Sequence, residues 1–350
     1  MQLIYQLNRE TVEVVFTEDF FAPGWQLHSV ALVGSFCDWK AECAWPMLLD
    51  DEGTWNLEVP RDKINVPGNS GYPEFQFLLD GKHWYDSYQT PWAPQFLGNF
   101  VLLWETDTQE ELSRKEQVAL TFVRESYDVE ALSNFRMLQG GDLAPGRLYR
   151  SYHPFLPSRH HQHEYDRLEA VQQKMEEQGI QAVLNLTDEA TIVNCKEITP
   201  FYKTLIEEGK VCFATTTYEE VYYHSSESGF IEVVHQVLEF IATHPGPYLV
   251  HCRLGTDRTG VLSALLQSLA GVDWAQIKND YQLSNRMSVG EFRDPRLLAY
   301  TFEQFLGLKS LGQGSLKEAL HDRLLKSGFG AHRLKTVLKH LTSRQEEMGF

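Results

Sequence analysis

Ten consecutive residues, His251-Cys252-Arg253-Leu254-Gly255-Thr256-Asp257-Arg258-Thr259-Gly260, put a nucleophile, a run of backbone amides and a fixed cation on one turn. Before them, Pro247-Tyr248-Leu249-Val250 reads as a short buried strand, and after them residues 259–270 carry the apolar periodicity of a helix. Cys252 is therefore expected on a strand-loop-helix turn. There the loop amides and the helix N-terminus converge into a site for a dianionic phosphate. The same field favours the thiolate over the thiol, which is the form that attacks phosphorus. Arg258 supplies a planar guanidinium whose two prongs can hold two phosphoryl oxygens, a geometry that lysine lacks. Thr259 is placed to hydrogen-bond the sulfur as it leaves.

This order, His-Cys, five residues, then Arg-Thr-Gly, resembles the signature of the protein tyrosine and dual-specificity phosphatase superfamily. The likeness extends to Asn134-Phe135-Arg136, Gly146-Arg147-Leu148-Tyr149-Arg150-Ser151, Val183-Leu184-Asn185-Leu186 and Asp280-Tyr281-Gln282-Leu283-Ser284-Asn285. These runs occur in the same order in a microbial branch that includes secreted bacterial tyrosine and lipid phosphatases, over residues 122–345. The resemblance implies a phosphomonoesterase that forms a cysteinyl phosphate at Cys252, with Arg253, Leu254, Gly255, Thr256, Asp257 and Arg258 around the phosphate and no metal or cofactor.

Hydrolysis also needs a proton for the departing oxygen. Many tyrosine phosphatases take it from an aspartate on a loop well upstream of the cysteine, but here that region reads Thr215-Thr216-Thr217-Tyr218-Glu219-Glu220. The resembling branch carries its acid directly before the arginine, at the position of Asp257. A carboxyl packed against a dianionic phosphate has its charged form disfavoured, which suits a proton donor. The competing role for Asp257 is to cap the following helix, with Glu219, Glu220 and Asp188 as reserve acids. Relatives that accept phosphoinositides often carry a lysine where this chain has Thr256, and Arg253 is the only extra base in the loop. That argues against polyphosphorylated inositol substrates.

The chain has 350 residues, enough for two domains with their own cores. Its net charge of −17 repels nucleic acid backbones and acidic membrane surfaces, so neither is expected as a partner. Five cysteines without paired or zinc-like spacing fit a reducing compartment, and the first residues lack the basic start and apolar run of a signal peptide. A soluble, cytoplasmic protein is expected.

Residues 11–104 carry short alternating apolar runs such as Thr54-Trp55-Asn56-Leu57-Glu58-Val59, divided by Gly, Pro, Asp and Asn turns, the pattern of a β-sandwich. Residues 105–121 begin polar and charged and read as a linker. Beyond them strand-like runs (182–186, 211–214, 249–251) alternate with helical ones (163–178, 229–243, 259–270). The alternation predicts an α/β layer with a mostly parallel central sheet flanked by helices over residues 122–350, closed by a helical hairpin at 316–341 that turns near Gly328-Phe329-Gly330. The expected whole is an α/β phosphatase fold preceded, over residues 1–104, by an all-β immunoglobulin-like sandwich.

The sandwich resembles the glycogen-binding early-set modules of branching enzymes and of the regulatory subunit of AMP-activated protein kinase. Val33-Gly34-Ser35-Phe36-Cys37-Asp38-Trp39, Gly53-Thr54-Trp55, the run from Phe75 to Trp84, and Gly98-Asn99-Phe100-Val101 carry the likeness. Indoles stack on sugar rings while polar groups take the hydroxyls, so the resemblance implies Trp39 and Trp84 as platforms and Asn99 as a hydrogen-bond partner. The usual lysine of such modules is Gln76 here, and Trp55 falls on a core position. Glycogen or another α-glucan is the implied partner, and the substrate a phosphorylated glucan, as in laforin-like glucan phosphatases, or a phosphotyrosine protein. Two alternatives stay open: a tyrosine or dual-specificity phosphatase whose sandwich only docks, and a scaffold that binds glucan and phosphoprotein without turnover. The histidines at 153, 160, 161 and 163 read as a solvated connector rather than a metal site. Cys195 or Cys212 could capture an oxidised Cys252.

Overall fold

In the N-terminal part the strands are β1 (Tyr5–Leu7), β2 (Thr11–Thr17), β3 (Val30–Gly34), β4 (Trp45–Pro46), β5 (Leu48–Leu49), β6 (Thr54–Pro60), β7 (Glu74–Leu79), β8 (His83–Tyr85), β9 (Gln95–Phe96) and β10 (Asn99–Val101). On β2 the period of two turns Val12, Val14 and Phe16 inward, all without exposed surface. The computed structural model describes residues 4–17, 26–90, 92–104, 108–125, 129–159, 163–312 and 314–343. It pairs these strands into two sheets, β1-β2-β6-β5 and β4-β3-β7-β10-β9, with β8 added to β7. Val12, Val14, Phe16, Trp55 and Val59 of the first sheet share one core with Val30, Leu32, Phe75, Phe77, Leu79 and Phe100 of the second. Trp55 is thus a core residue, 6% exposed, as its strand position predicts.

The chain divides into two units, and the first contains residues 292–300 besides Met1–Val118. The stretch read as a linker carries a helix, Gln109–Glu125. Within the first unit its Lys115 meets Asp294 at 2.7 Å, Glu111 at 2.9 Å and the Ser70 carbonyl at 2.8 Å. Arg296 reaches Glu111 at 2.6 Å, and Arg296 and Lys115 both stand over the ring of Tyr72, at 3.9 and 4.8 Å from its centroid. Burial first of all pushes the Tyr72 hydroxyl up to about 12. Asp294 also accepts from the Arg296 amide at 2.8 Å, capping the helix Pro295–Leu306. Asp294→Ala removes the cap and a half-buried ion pair together, and should cost about 2–3 kcal/mol in denaturant unfolding of this unit. A loss under about 0.5 kcal/mol would put the contact in the class of surface pairs.

The second unit is built on β11 (Arg136–Met137), β12 (Leu148–Ser151), β13 (Ala182–Asn185), β14 (Val211–Phe213) and β15 (Tyr248–His251), in the order β11-β12-β15-β13-β14. All neighbours are parallel except β11 with β12. Every residue of β12, β13 and β15 is buried, as for strands covered on both faces. The helix Asp257–Leu269 is buried throughout from Thr259 onward, which marks it as an interior helix. The hairpin of Leu316–Lys326 and Ala331–Thr342 turns at Gly328, φ +96°, with Phe329 4% exposed. Register aligns Ser151, His251, Asn185 and Phe213 in one row at the carboxyl end of the parallel strands. In open α/β sheets that end is where ligands bind.

Candidate active site

Cys252 directly follows β15 and is 2% exposed. The loop after it turns at Gly255, φ +72°, where a side chain would meet the Ser151 carbonyl oxygen at 2.2 Å. Only glycine fits there, both for its backbone angle and for the space.

The loop carbonyls are held from outside. Asn134 donates its side-chain amide to the carbonyls of Leu254 (3.1 Å) and Gly255 (3.2 Å). Arg150, with no exposed surface, donates from Nη2 to Gly255 O at 2.7 Å. Carbonyls fixed outward turn the intervening amides to the opposite side, as an anion site requires. Asp280 holds both supporting cations, Arg136 Nε and Arg150 Nη1, each at 2.6 Å. Burial works to raise the Asp280 pKa, but the two guanidiniums outweigh it and hold the carboxyl below its ordinary range. Arg136 also binds the Asn134 side-chain oxygen at 2.5 Å, which fixes the amide's orientation toward the loop.

Arg258, half-buried, is anchored through Nη1 to Leu186 O (3.2 Å), Thr187 Oγ1 (3.1 Å) and Thr216 O (3.1 Å). Among the described residues no hydrogen bond involves its Nε or Nη2. Asp257 opens the helix, and its Oδ1 accepts from Tyr222 Oη at 3.1 Å. The Thr259 and Thr256 hydroxyls are buried without a hydrogen-bond partner, and Thr259 does not donate to Cys252 in this state.

Two of the three reserve acids are engaged elsewhere, while Glu219 is half-buried in the first turn of the helix Tyr218–Tyr222. Glu220 closes a capping box with Thr217 and accepts from Thr216 Oγ1 at 2.8 Å, so its carboxylate is committed to the start of the helix Tyr218–Tyr222. Asp188 Oδ2 accepts from His153 Nε2 (2.8 Å) and Asn185 Nδ2 (2.9 Å). His153 Nδ1 takes the amides of Phe155 and Leu156, which leaves the ring proton on Nε2 facing Asp188. Burial acts to raise the Asp188 pKa, yet the bond from His153 and its charge prevail and hold the carboxyl low. An acid so held is ionised at neutral pH and has no proton to give.

His153 corrects the sequence expectation of a solvated connector: it is 2% exposed, because Asp188 and two amides satisfy it inside the fold. His163 is half-buried against Asp166 at 3.1 Å, and His160 and His161 lie outside the described residues. Behind the cysteine, His251 Nε2 meets Tyr202 Oη at 2.8 Å, and Tyr202 Oη in turn takes the Asn185 amide at 3.1 Å. Burial first, then the neighbouring His153, pushes His251 down to about 3, so it stays neutral.

In the sandwich, Trp84 is 43% exposed and stands opposite Leu78 on β7. Gln76, one pleat along the same face, donates to Asn99 Oδ1 at 2.9 Å, while Asn99 donates to Glu74 Oε2 at 2.8 Å. Burial raises the pKa of Glu74, which is 1% exposed. Trp39 is half-buried on the turn after β3, with φ +58°. Tyr88 and Trp92, which the sequence reading left without a role, are 64% and 51% exposed. The sequence also gave no role to Tyr222, and its only available signal was a tyrosine cluster at 218, 222 and 223.

A thiol just past the carboxyl end of a central parallel strand is followed by a glycine turn and a helix carrying arginine in its first turn. A family model described as the tyrosine phosphatase family matches residues 127–310, just over half of the chain, and the chain belongs to that family. The tyrosine-protein phosphatase of Nostoc commune is 42% identical over 60 residues, which are 17% of this chain and 20% of that protein. The chain thus matches about a fifth of that relative's length. Among the described residues no helix is long and apolar enough to cross a membrane.

Proposed function

We propose that the protein hydrolyses phosphate monoesters through a cysteinyl-phosphate intermediate. The observation that carries this reading is the loop of residues 252–258, whose carbonyls are drawn outward by Asn134 and Arg150 beside an arginine that, among the described residues, is anchored through Nη1 alone. Cys252 Sγ attacks phosphorus as the thiolate while the P–O bond to the leaving group breaks, and Asp257 gives that oxygen its proton. Water then attacks the same phosphorus, the S–P bond breaks and Asp257 recovers a proton from the water. Inorganic phosphate leaves and the thiolate is restored. The loop amides of 253–258 and the free prongs of Arg258 hold the equatorial oxygens, where charge accumulates. Thr259, buried and unpartnered, takes up the departing thiolate.

The sandwich is assigned to an α-glucan, with Trp84 and Trp39 as stacking faces and Gln76 and Asn99 on the same module. Exposure of Trp84 beside Gln76 supports this assignment. A second reading, a protein tyrosine or dual-specificity phosphatase whose sandwich only docks, is favoured by the chain Gln76–Asn99–Glu74, which ties both polar side chains inward. Phosphate release from phosphotyrosine peptide and from phosphorylated amylopectin, measured side by side, separates the two.

Each stacking face is worth about 1 kcal/mol when a ligand uses it, so Trp84→Ala and Trp39→Ala should each weaken co-sedimentation with glycogen several-fold. Turnover of a small aryl phosphate should stay within twofold of wild type. Wild-type protein that sediments with no glucan removes the targeting role and leaves the docking reading.

A further inference from the structure

The acid in this reading is not an isolated side chain. Tyr222 has no exposed surface, and its Oη lies 3.1 Å from Asp257 Oδ1 and 2.6 Å from Tyr281 Oη. A phenol between a carboxylate and a second phenol donates to the carboxylate and accepts from the neighbour. Tyr222 is itself fixed from both sides. The ring of Tyr218 stands against it at 5.0 Å, and its short helix is closed by the Thr217–Glu220 box directly after Thr216, whose carbonyl accepts from Arg258.

Tyr281 follows Asp280, the residue that holds Arg150 and Arg136 behind the phosphate loop. Both sit on the helix Trp274–Leu283. Gly260 makes room for the two lines of contact to cross. A side chain there would meet the Tyr281 ring at 3.0 Å and Arg150 Nη2 at 3.4 Å.

We propose that Tyr222 is a positioning residue for Asp257, holding Oδ1 as an acceptor so that the transferable proton resides on Oδ2, with Tyr281 holding Tyr222 in turn. Consecutive residues of one helix then set both halves of the site, Asp280 the anion cradle and Tyr281 the acid. The inference rests on Asp257 as the proton donor. During the first step Oδ2–H passes its proton to the leaving oxygen as the P–O bond breaks, and the new carboxylate keeps the Tyr222 hydrogen bond. In the second step the carboxylate takes a proton from the attacking water. The balance needs no further reactant.

The test is steady-state kinetics on aryl phosphates of graded leaving-group basicity and on a phosphotyrosine peptide, for wild type, Tyr222→Phe, Tyr281→Phe, Asp257→Asn and the double variant Tyr222→Phe/Asp257→Asn. Losing one hydrogen bond to a charged partner should lower kcat for the peptide about tenfold in Tyr222→Phe. KM should hold, and the ester with the best leaving group should change less than twofold. Tyr281→Phe should show a smaller loss with the same dependence on leaving group. In the Asp257→Asn background Tyr222→Phe should have no further effect, since the two act as one unit. An equal loss on every ester, an additive loss in the double variant, or unchanged rates for both tyrosine variants overturns the proposal. If Asp257→Asn alone is indifferent to the leaving group, it is the acid assignment that fails, a result visible without either tyrosine variant.

Discussion

Cys252→Ser should lower turnover of phosphotyrosine and aryl phosphates by on the order of 10⁵-fold or more, the scale on which removal of a covalent nucleophile acts. A serine hydroxyl stays protonated at neutral pH, where a thiol is far more readily ionised. The hydroxyl fits where the buried sulfur was, so the variant should remain folded and bind inorganic phosphate, read by calorimetric titration. Turnover near the wild-type rate in that variant removes Cys252 from the chemistry.

Arg258→Lys should be the next most damaging change, costing about 10³-fold in kcat. An ammonium keeps the charge but cannot both reach Leu186 O, Thr187 Oγ1 and Thr216 O and present two parallel donors to the phosphate. The loss should appear in kcat more than in KM, because the bidentate contact matters most as charge builds on the equatorial oxygens. A rate within a few-fold of wild type shows that the guanidinium does not clamp the phosphate.

The strand-turn-helix around Cys252 was legible because its signal is local: an apolar strand, a glycine-bearing turn and a buried helix occupy consecutive residues. Trp55 was legible for the same reason, since alternation along one strand decides its face. The strand Leu148–Ser151 was quoted in the resemblance but not read as a strand, because Arg150 looks like a surface residue until Asp280, 130 positions away, is brought beside it. His153 misled in the same manner. Its partner Asp188 lies 35 positions on, and a histidine among three others reads as solvated connector when that partner is not seen. Residues 292–300 fall in the stretch read as catalytic yet cluster with the sandwich unit through Lys115, Tyr72 and Asn69, contacts that leave no periodic trace in sequence. The helix Gln109–Glu125 was read as linker because its composition is polar, and among the described side chains only Leu112 and Ala119 mark its buried side. In the site itself, the local mark of Tyr222 is no more than its place in the tyrosine cluster at 218, 222 and 223.

The central claim is that phosphorus is bonded to the sulfur of Cys252 during turnover. Wild-type enzyme and the Cys252→Ala variant, mixed with radiolabelled phosphotyrosine peptide and quenched within one turnover, should differ in a single digest fragment. Label on the wild-type fragment that contains Cys252, released at the rate of phosphate formation and missing from the variant, is the expected result. Label on another residue, or phosphate released from the variant at the wild-type rate, contradicts the account.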